Sequence, residues 1–143
     1  MATITPTLTI TANAASATSN PGPSSSAISL SVTDALTVDV LKAATVTPST
    51  THSILFDGST EDVGSGVAGT NGAFIYFKNT SAADHDVYIG IASAALEGNA
   101  SANRLFTLKQ GEFAFLPYDY TLDLYVDAEN AAATLEYMLF NRA

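Results

Sequence analysis

One stretch of this 143-residue chain is the clearest guide to its structure: Phe106-Thr-Leu-Lys-Gln-Gly-Glu-Phe-Ala-Phe-Leu-Pro-Tyr118. Apolar residues alternate with polar residues before its centre and form a short apolar run after it. Successive side chains of a β-strand point to opposite faces of a sheet. At the centre, Lys109-Gln-Gly111 supplies turn residues. The pattern predicts strands over residues 104–108 and 112–116, with Pro117 closing the second strand.

The same period of two continues along the chain from Ala27 onward. Turn signals such as Asp57-Gly58 and Asn71-Gly72 separate the apolar runs. About nine short strands at this spacing favour an all-β fold, an antiparallel β-sandwich or jelly roll. Helix is expected at most as short turns over residues 39–44 or 93–97, and the Ala-rich residues 128–133, between two strands, are as compatible with a loop as with a helical turn. The remaining strands are predicted over residues 28–32, 36–40, 52–56, 72–77, 87–91, 122–127 and 134–140.

The N-terminal residues differ in composition from the rest. An alternating Thr/Ile segment is followed by a stretch of Ala, Ser, Thr, Asn, Pro and Gly, in which Asn20-Pro-Gly-Pro23 disfavours both helix and sheet ladder. We therefore expect an extended arm and linker over residues 1–27 and a β-sandwich domain over 28–143. A frayed terminus without a partner is the alternative. The alternation favours a strand added to a neighbour's sheet edge, with Ile4, Leu8 and Ile10 as its contact residues.

Composition limits the classes of function. Apolar residues make up 47% of the chain, enough for a stable core in one domain, whereas charged residues make up only 13%. A surface poor in charge is cheap to desolvate, because burying a hydroxyl or a methyl group costs less than burying an ion. We expect much of this surface to contact other protein chains, and a neutral soluble monomer is the alternative.

The charge balance and the absence of cysteine exclude further classes. The net charge is −9, and the five Lys and Arg residues are scattered, so the chain is not expected to bind nucleic acid or an anionic membrane. Without cysteine it can form no disulfide or thiolate metal site. The N-terminal sequence lacks the pattern of a secretory signal, and no apolar run reaches the roughly 18 residues of a membrane span. We expect a protein made in the cytoplasm.

No motif indicates catalysis or a cofactor. Gly64-Ser-Gly-Val-Ala-Gly69 matches the dinucleotide fingerprint, but no helix pattern follows it, so a loop is favoured. Asp84-His85-Asp86 has metal-ligand residue types, yet a turn between two strands is the favoured interpretation. No histidine lies near a distinctive serine, and nucleophilic catalysis requires a base beside the nucleophile. The chain is therefore not expected to be an enzyme or to hold a cofactor.

Two acidic clusters raise the question of calcium. Asp119, Asp123 and Asp127 are spaced by four residues and share one face of a predicted strand, and Asp57-Gly-Ser-Thr-Glu-Asp62 is a second cluster on a loop. Carboxylates of this kind can recruit Ca²⁺, but neither cluster has the spacing of a helix–loop–helix calcium site. Solvated faces are the favoured interpretation, and no metal site is predicted.

Aromatic residues crowd the C-terminal half of the chain. Both faces of residues 74–77 and of 135–140 are apolar, so these strands are expected either in the middle of the sandwich or buried between subunits. Tyrosine suits surfaces that are partly apolar and partly wet. We therefore predict that Tyr118, Tyr120 and Tyr125 lie at an interface.

Three stretches carry a resemblance to a known group of proteins: Gly72-Ala-Phe-Ile-Tyr-Phe-Lys-Asn-Thr80, the opening stretch 106–118, and Ala133-Thr-Leu-Glu-Tyr-Met-Leu-Phe140. With them the chain resembles small structural proteins of tailed phages, especially phages of marine cyanobacteria. The resemblance implies a β-sandwich present in many copies in the virion, and it carries over no catalytic or ligand residues.

The resemblance and the composition together lead to one favoured function. We expect a capsid decoration or cement protein, a homo-oligomer whose arm anchors it to the shell of major capsid protein or to its neighbours in the virion. The alternatives are a neck or tail subunit (tube, collar or fibre) and a host-glycan-binding module with Tyr118, Tyr120 and Tyr125 as its aromatic platform.

Overall fold

The structure is a computed structural model that describes residues 2–4, 7–11, 27–31, 36–57, 73–91, 96, 103–118 and 122–142. The regular structure in these ranges is formed by eleven strands. The strands are β1 Ala2–Ile4, β2 Thr7–Thr11, β3 Ala27–Ser31, β4 Leu36–Val46, β5 Ser53–Phe56, β6 Ala73–Asn79, β7 Val87–Gly90, β8 Arg104–Leu108, β9 Phe113–Tyr118, β10 Leu124–Ala128 and β11 Leu135–Arg142.

The chain divides into two compact units, Met1–Val38 and Asp39–Ala143. In the first unit, β1 pairs with the beginning of β4, and β2 pairs with β3, both antiparallel. The strands β1 and β2 thus pair within their own chain. The expected division into an arm over residues 1–27 and a domain over 28–143 stays a prediction, and so does the role of the arm.

The second unit contains two antiparallel sheets of four strands. The first sheet has the order β4-β11-β6-β9, and the second sheet has the order β5-β10-β7-β8. The strands β5 to β11 coincide with the seven strands that alternation predicts between residues 52 and 140. The alternation was informative here because each strand has a face that must be buried.

The two sheets pack on one hydrophobic core. In the centre, the ring of Phe56 on the second sheet meets the ring of Tyr137 on the first sheet edge-on, with centroids 5.0 Å apart. Phe77 and Phe106 also meet across the sheets, with centroids 6.0 Å apart and ring planes tilted by 55°. The predicted antiparallel β-sandwich is therefore confirmed. Its other fully buried side chains include Ile75, Leu135 and Leu139 of the first sheet and Val87, Ile89 and Ala128 of the second.

Four local expectations concern turns and strand ends. Residues 39–44 lie within the strand β4, so the helical turn expected there is wrong. Pro117 lies inside β9 and does not end it; β9 is an edge strand, where a residue without an N–H group need not break the ladder. Residues 129–132 form a turn between β10 and β11, which agrees with the loop alternative for this segment. The other expected helical turn, 93–97, lies outside the described residues except for Leu96.

Candidate functional site

The outward face of the first sheet carries a regular array of nine side chains. Residues at alternate positions of β11, β6 and β9 stand side by side in three rows, as the register of the two strand pairs requires. We call this array the aromatic grid. Its rows are Glu136, Lys78 and Phe113; Met138, Tyr76 and Phe115; and Phe140, Phe74 and Pro117.

Rings in the grid hold one another in place. Phe74 and Phe115 are stacked, with centroids 5.5 Å apart and planes 7° from parallel. Phe140 lies 6.4 Å from Phe115, and Tyr76 lies 6.5 Å from Phe113. Such ring pairs stabilise a fold by about 0.5–1.5 kcal/mol beyond the area they bury. The stacking leaves the face ordered before any partner arrives.

The grid remains open to solvent on the β9 side. Phe113 is 58% exposed and Phe115 is 37% exposed, while Phe74 beneath them is buried. Single exposed apolar residues are normal on protein surfaces, whereas a contiguous patch marks an interaction site. Aromatic residues and methionine are also the types enriched in protein–protein interfaces. The face has the composition of an interface core.

Charge on the grid is confined to one row. Lys78 and Glu136 are direct cross-strand partners, so one cation and one anion lie side by side. Burial, and next the charge of Glu136, raise the pKa of the Tyr76 hydroxyl above its ordinary value. The grid is therefore neutral overall, in a chain whose net charge is −9.

One of the predicted interface residues, Tyr118, lies in the hydrophobic core. Tyr118 is buried, its ring lies 6.3 Å from that of Phe56, and its hydroxyl donates to the carbonyl oxygen of Leu122. This core position does not favour an interface role for Tyr118, because strand alternation turns it inward while Phe113 and Phe115 point outward. Parity along residues 113–118 groups Phe113 with Phe115 and separates both from Tyr118, but which group faces outward depends on packing across strands.

The remaining interface predictions stay untested. Tyr125 is half-buried, and its hydroxyl lies 3.5 Å from the carboxylate of Asp123. Tyr120 lies outside the described residues. Ile4, Leu8 and Ile10 belong to β1 and β2, whose backbone pairing alone is described. None of these residues is part of the grid.

Asp127, the member of the predicted acidic cluster that lies on β10, is not solvated. Asp127 is 1% exposed, and its carboxylate accepts hydrogen bonds from the backbone N–H groups of Leu96 at 3.3 Å and Ala128 at 2.8 Å. The expectation of a solvent-exposed carboxylate is thus wrong for Asp127. Its oxygens satisfy buried backbone donors, which is a structural role. Asp119 and residues 58–62 lie outside the described residues.

The other candidate chemical groups remain separate. Residues 84–86 form part of the connection between β6 and β7, and the His85 carbonyl oxygen accepts from the Asn79 amide at 2.7 Å. Residues 64–69 lie outside the described residues. Within the described ranges, no three His, Cys, Asp or Glu residues group closely enough to hold a metal ion. That the chain is not an enzyme stays a prediction.

An open cleft of ≈ 510 Å³ lies beside the β8–β9 turn. Its walls are mostly apolar, formed by Phe106, Leu108, Ala114 and Phe113 with Glu112 at the turn. The Glu112 carboxylate already accepts from the Lys109 backbone N–H at 2.8 Å. The cleft therefore offers apolar contact next to the grid without a convergent set of polar groups.

Comparisons with known proteins identify no family for this chain. No protein-family model matches the chain, and a search of curated proteins finds no match. One solved structure that does match comes from work on Bacillus endospore appendages, described as a family of disulfide-linked pili. It has a TM-score of 0.42 and 11% sequence identity, and the match covers 73% of this chain and 83% of that one. No helix in the described ranges is long and apolar enough to cross a membrane.

Proposed function

We propose that this chain is a structural subunit of a tailed-phage virion, a capsid decoration protein that associates with copies of itself and with the major capsid protein. The observation that carries the proposal is the aromatic grid, a pre-ordered apolar sheet face that stays exposed at Phe113 and Phe115 in the single chain. A contiguous apolar face of this kind marks a surface that another protein covers.

The stretches of sequence that carry the resemblance also contain the residues of the grid. The stretches that resemble phage structural proteins contain β6, β9 and β11, and these three strands supply every residue of the grid. A protein used in many copies needs a surface that associates repeatedly. The resemblance is the reason for proposing a virion protein, and the grid is the surface through which we propose that it associates.

The energetics favour association through this face. Fully burying one large apolar side chain contributes roughly 1.5–3 kcal/mol, and Phe113 and Phe115 both retain much of that gain for a partner. The stacking of Phe115 on Phe74 lowers the entropy that is lost on binding, because the ring is already fixed. The scarcity of charge elsewhere, 13% of residues, limits the desolvation cost of further contacts.

The glycan-binding alternative has less support. A sugar site combines an aromatic platform with several placed polar groups. The grid offers the Tyr76 hydroxyl, Lys78 and Glu136 along one side only, and the Tyr118 of the expected platform is buried. A protein partner would contact the apolar rows of the grid as well as its polar side.

A first experiment tests location. Antibody raised against the full chain is applied, with gold detection, to particles of the phage whose genome encodes it. We expect gold over the heads. Gold confined to the neck or tail would replace decoration by a tube, collar or fibre role, and particles without any gold would reject a virion role altogether.

A second experiment tests the surface itself. The variant F113S/F115S removes the exposed rings of the grid, and L105S is its matched control, because Leu105 is 48% exposed on β8 of the second sheet. We expect F113S/F115S to lose self-association and binding to heads, and L105S to keep both. Equal losses in the two variants, or none in F113S/F115S, would refute a specific role for the grid.

A further inference from the structure

We propose that a second copy of this chain covers the aromatic grid, packed face to face about a two-fold axis that runs along the strands between β6 and β11. The inference rests on the proposed function, since it takes the grid to be an assembly surface. It adds the identity of the occupant, the symmetry of the contact and the residues that face each other.

The register of β6 and β11 makes these two columns of the grid complementary to each other. Rotation about this axis lays β6 of one copy over β11 of the other and β9 over the partner's β4, and each row keeps its position along the strands. Lys78 then faces the partner subunit's Glu136, and Glu136 faces the partner subunit's Lys78. Every charge on the grid meets its opposite.

The same rotation also brings the apolar side chains of β6 opposite those of the partner's β11. Tyr76 faces the partner subunit's Met138, and Phe74 faces the partner subunit's Phe140. Two sheets packed in this way lie about 10 Å apart with their strands nearly aligned, at roughly 30°, so that the side chains of both faces interdigitate. An aromatic ring against a flexible methionine gives close contact without demanding exact shape.

Charge selects a second copy over other partners. The chain carries a net charge of −9, but its grid carries one cation and one anion, so a strongly basic or acidic partner gains no attraction from this face. A second copy presents the same two charges in reversed order and satisfies both. Opposite charges placed in this way fix the position of the axis, because moving it sideways onto β6 or β11 would set like charges opposite each other.

Charge reversal tests the arrangement. In K78E and in E136K, like charges oppose each other twice across the axis, and we expect each variant to lose dimer affinity by ~10-fold or more. When the two variants are mixed, the introduced glutamate faces the introduced lysine, and the native Glu136 of one faces the native Lys78 of the other. The equimolar mixture should recover the dimer, with twice the 14.8 kDa mass of the chain.

The mixture separates effects between chains from effects within one chain. Each single variant also sets like charges side by side on neighbouring strands of its own sheet, and mixing leaves that repulsion unchanged. Recovery on mixing must therefore arise between subunits. Circular dichroism confirms that each variant is folded, and K109E, which reverses an exposed charge on the β8–β9 turn, serves as the matched control that keeps the dimer.

Sedimentation velocity on the full chain gives the readout. Monomeric single variants and a dimeric mixture support the inference. A wild-type chain that stays monomeric, single variants that dimerise normally, or a mixture that stays monomeric would overturn it. If F113S/F115S abolishes assembly while the mixture fails to recover, this geometry is wrong and the proposed function stands; if F113S/F115S assembles normally, the proposed function itself fails.

Discussion

The side-chain amide of Asn79 donates to the carbonyl oxygen of Leu108 at 2.9 Å, and this bond joins the first sheet to the second. The same amide donates to His85 O at 2.7 Å, and its oxygen accepts from Ser81 N at 3.0 Å. Asn79 is completely buried at the end of β6. One side chain thus satisfies three backbone groups where the sandwich closes.

We expect N79A to lower the free energy of unfolding by about 2–5 kcal/mol. The substitution leaves two buried carbonyl oxygens and one buried N–H without a hydrogen-bond partner, and each such group costs roughly 1–3 kcal/mol. N79D should destabilise at least as much, since its carboxylate cannot donate to either carbonyl. Urea denaturation followed by circular dichroism measures both losses.

The matched control is N130A. Asn130 is exposed in the β10–β11 turn, and its side-chain oxygen accepts a hydrogen bond from Ala132 N at 2.9 Å. Water can replace this partner, so we expect a loss below about 1 kcal/mol. A loss in N79A no larger than that in N130A would show that the buried amide does not hold the sheets together.

Gly90 on β7 leaves room for Leu96, which is fully buried over the second sheet. A Cβ at position 90 would collide with the Leu96 side chain and would lie 2.5 Å from the backbone oxygen of Asn103. We expect G90A to lower the free energy of unfolding by about 1–3 kcal/mol through overpacking.

A double-mutant cycle locates the strain at Gly90. G90A/L96A removes the side-chain collision but keeps the collision with the Asn103 backbone, so rescue should be partial. Strictly additive losses for G90A and L96A would contradict the contact. Thermal unfolding of the four proteins supplies the comparison.

Tyr76 gives the grid a dependence on alkaline pH. Burial and the Glu136 charge raise its pKa above the ordinary value of 10.0, so the unfolded chain loses this proton before the folded chain does. The stability from this group is complete below pH 10 and is lost as the pH rises through the folded-state pKa. We expect absorbance titration near the tyrosinate band to show Y76F lacking one late transition, and Y76F to lose less stability above pH 10.

The neighbouring carboxylate provides a second readout for Tyr76. In E136Q the charge that opposes ionisation is gone while most of the burial remains, so the late transition should move toward lower pH without reaching 10. An unchanged transition in E136Q would show that Glu136 does not act on Tyr76.

Alternation predicts the strands of the second unit because burial of one face imposes a period of two. It fails at β9, where Ala114, Leu116 and Tyr118 on one face and Phe113 and Phe115 on the other are all apolar. Apolarity alone would turn the phenylalanines inward. The structure instead sets the small Ala114 opposite the large Phe77 of β6 on the core side, which depends on packing across strands.

The strand β4 shows a second limit. Residues 39–44 have no clear period of two, and their strand geometry comes from pairing with β11 in the first sheet. Tertiary pairing overrides local preference in strands more readily than in helices. The burial of Asp127 could not be predicted for a similar reason. Leu96, whose backbone N–H donates to its carboxylate, lies 31 positions away in sequence.

Tyr118 and Phe115 lie on opposite faces of β9, so their variants should fail in different ways. Y118F loses the hydroxyl that donates to Leu122 O, and we expect it to lower stability by about 1 kcal/mol while self-association stays normal. F115S should weaken self-association, because it removes an exposed ring from the grid. Denaturation and sedimentation velocity on both variants give the comparison. Loss of assembly in Y118F with normal assembly in F115S would return the interface to the tyrosines and remove the grid from it.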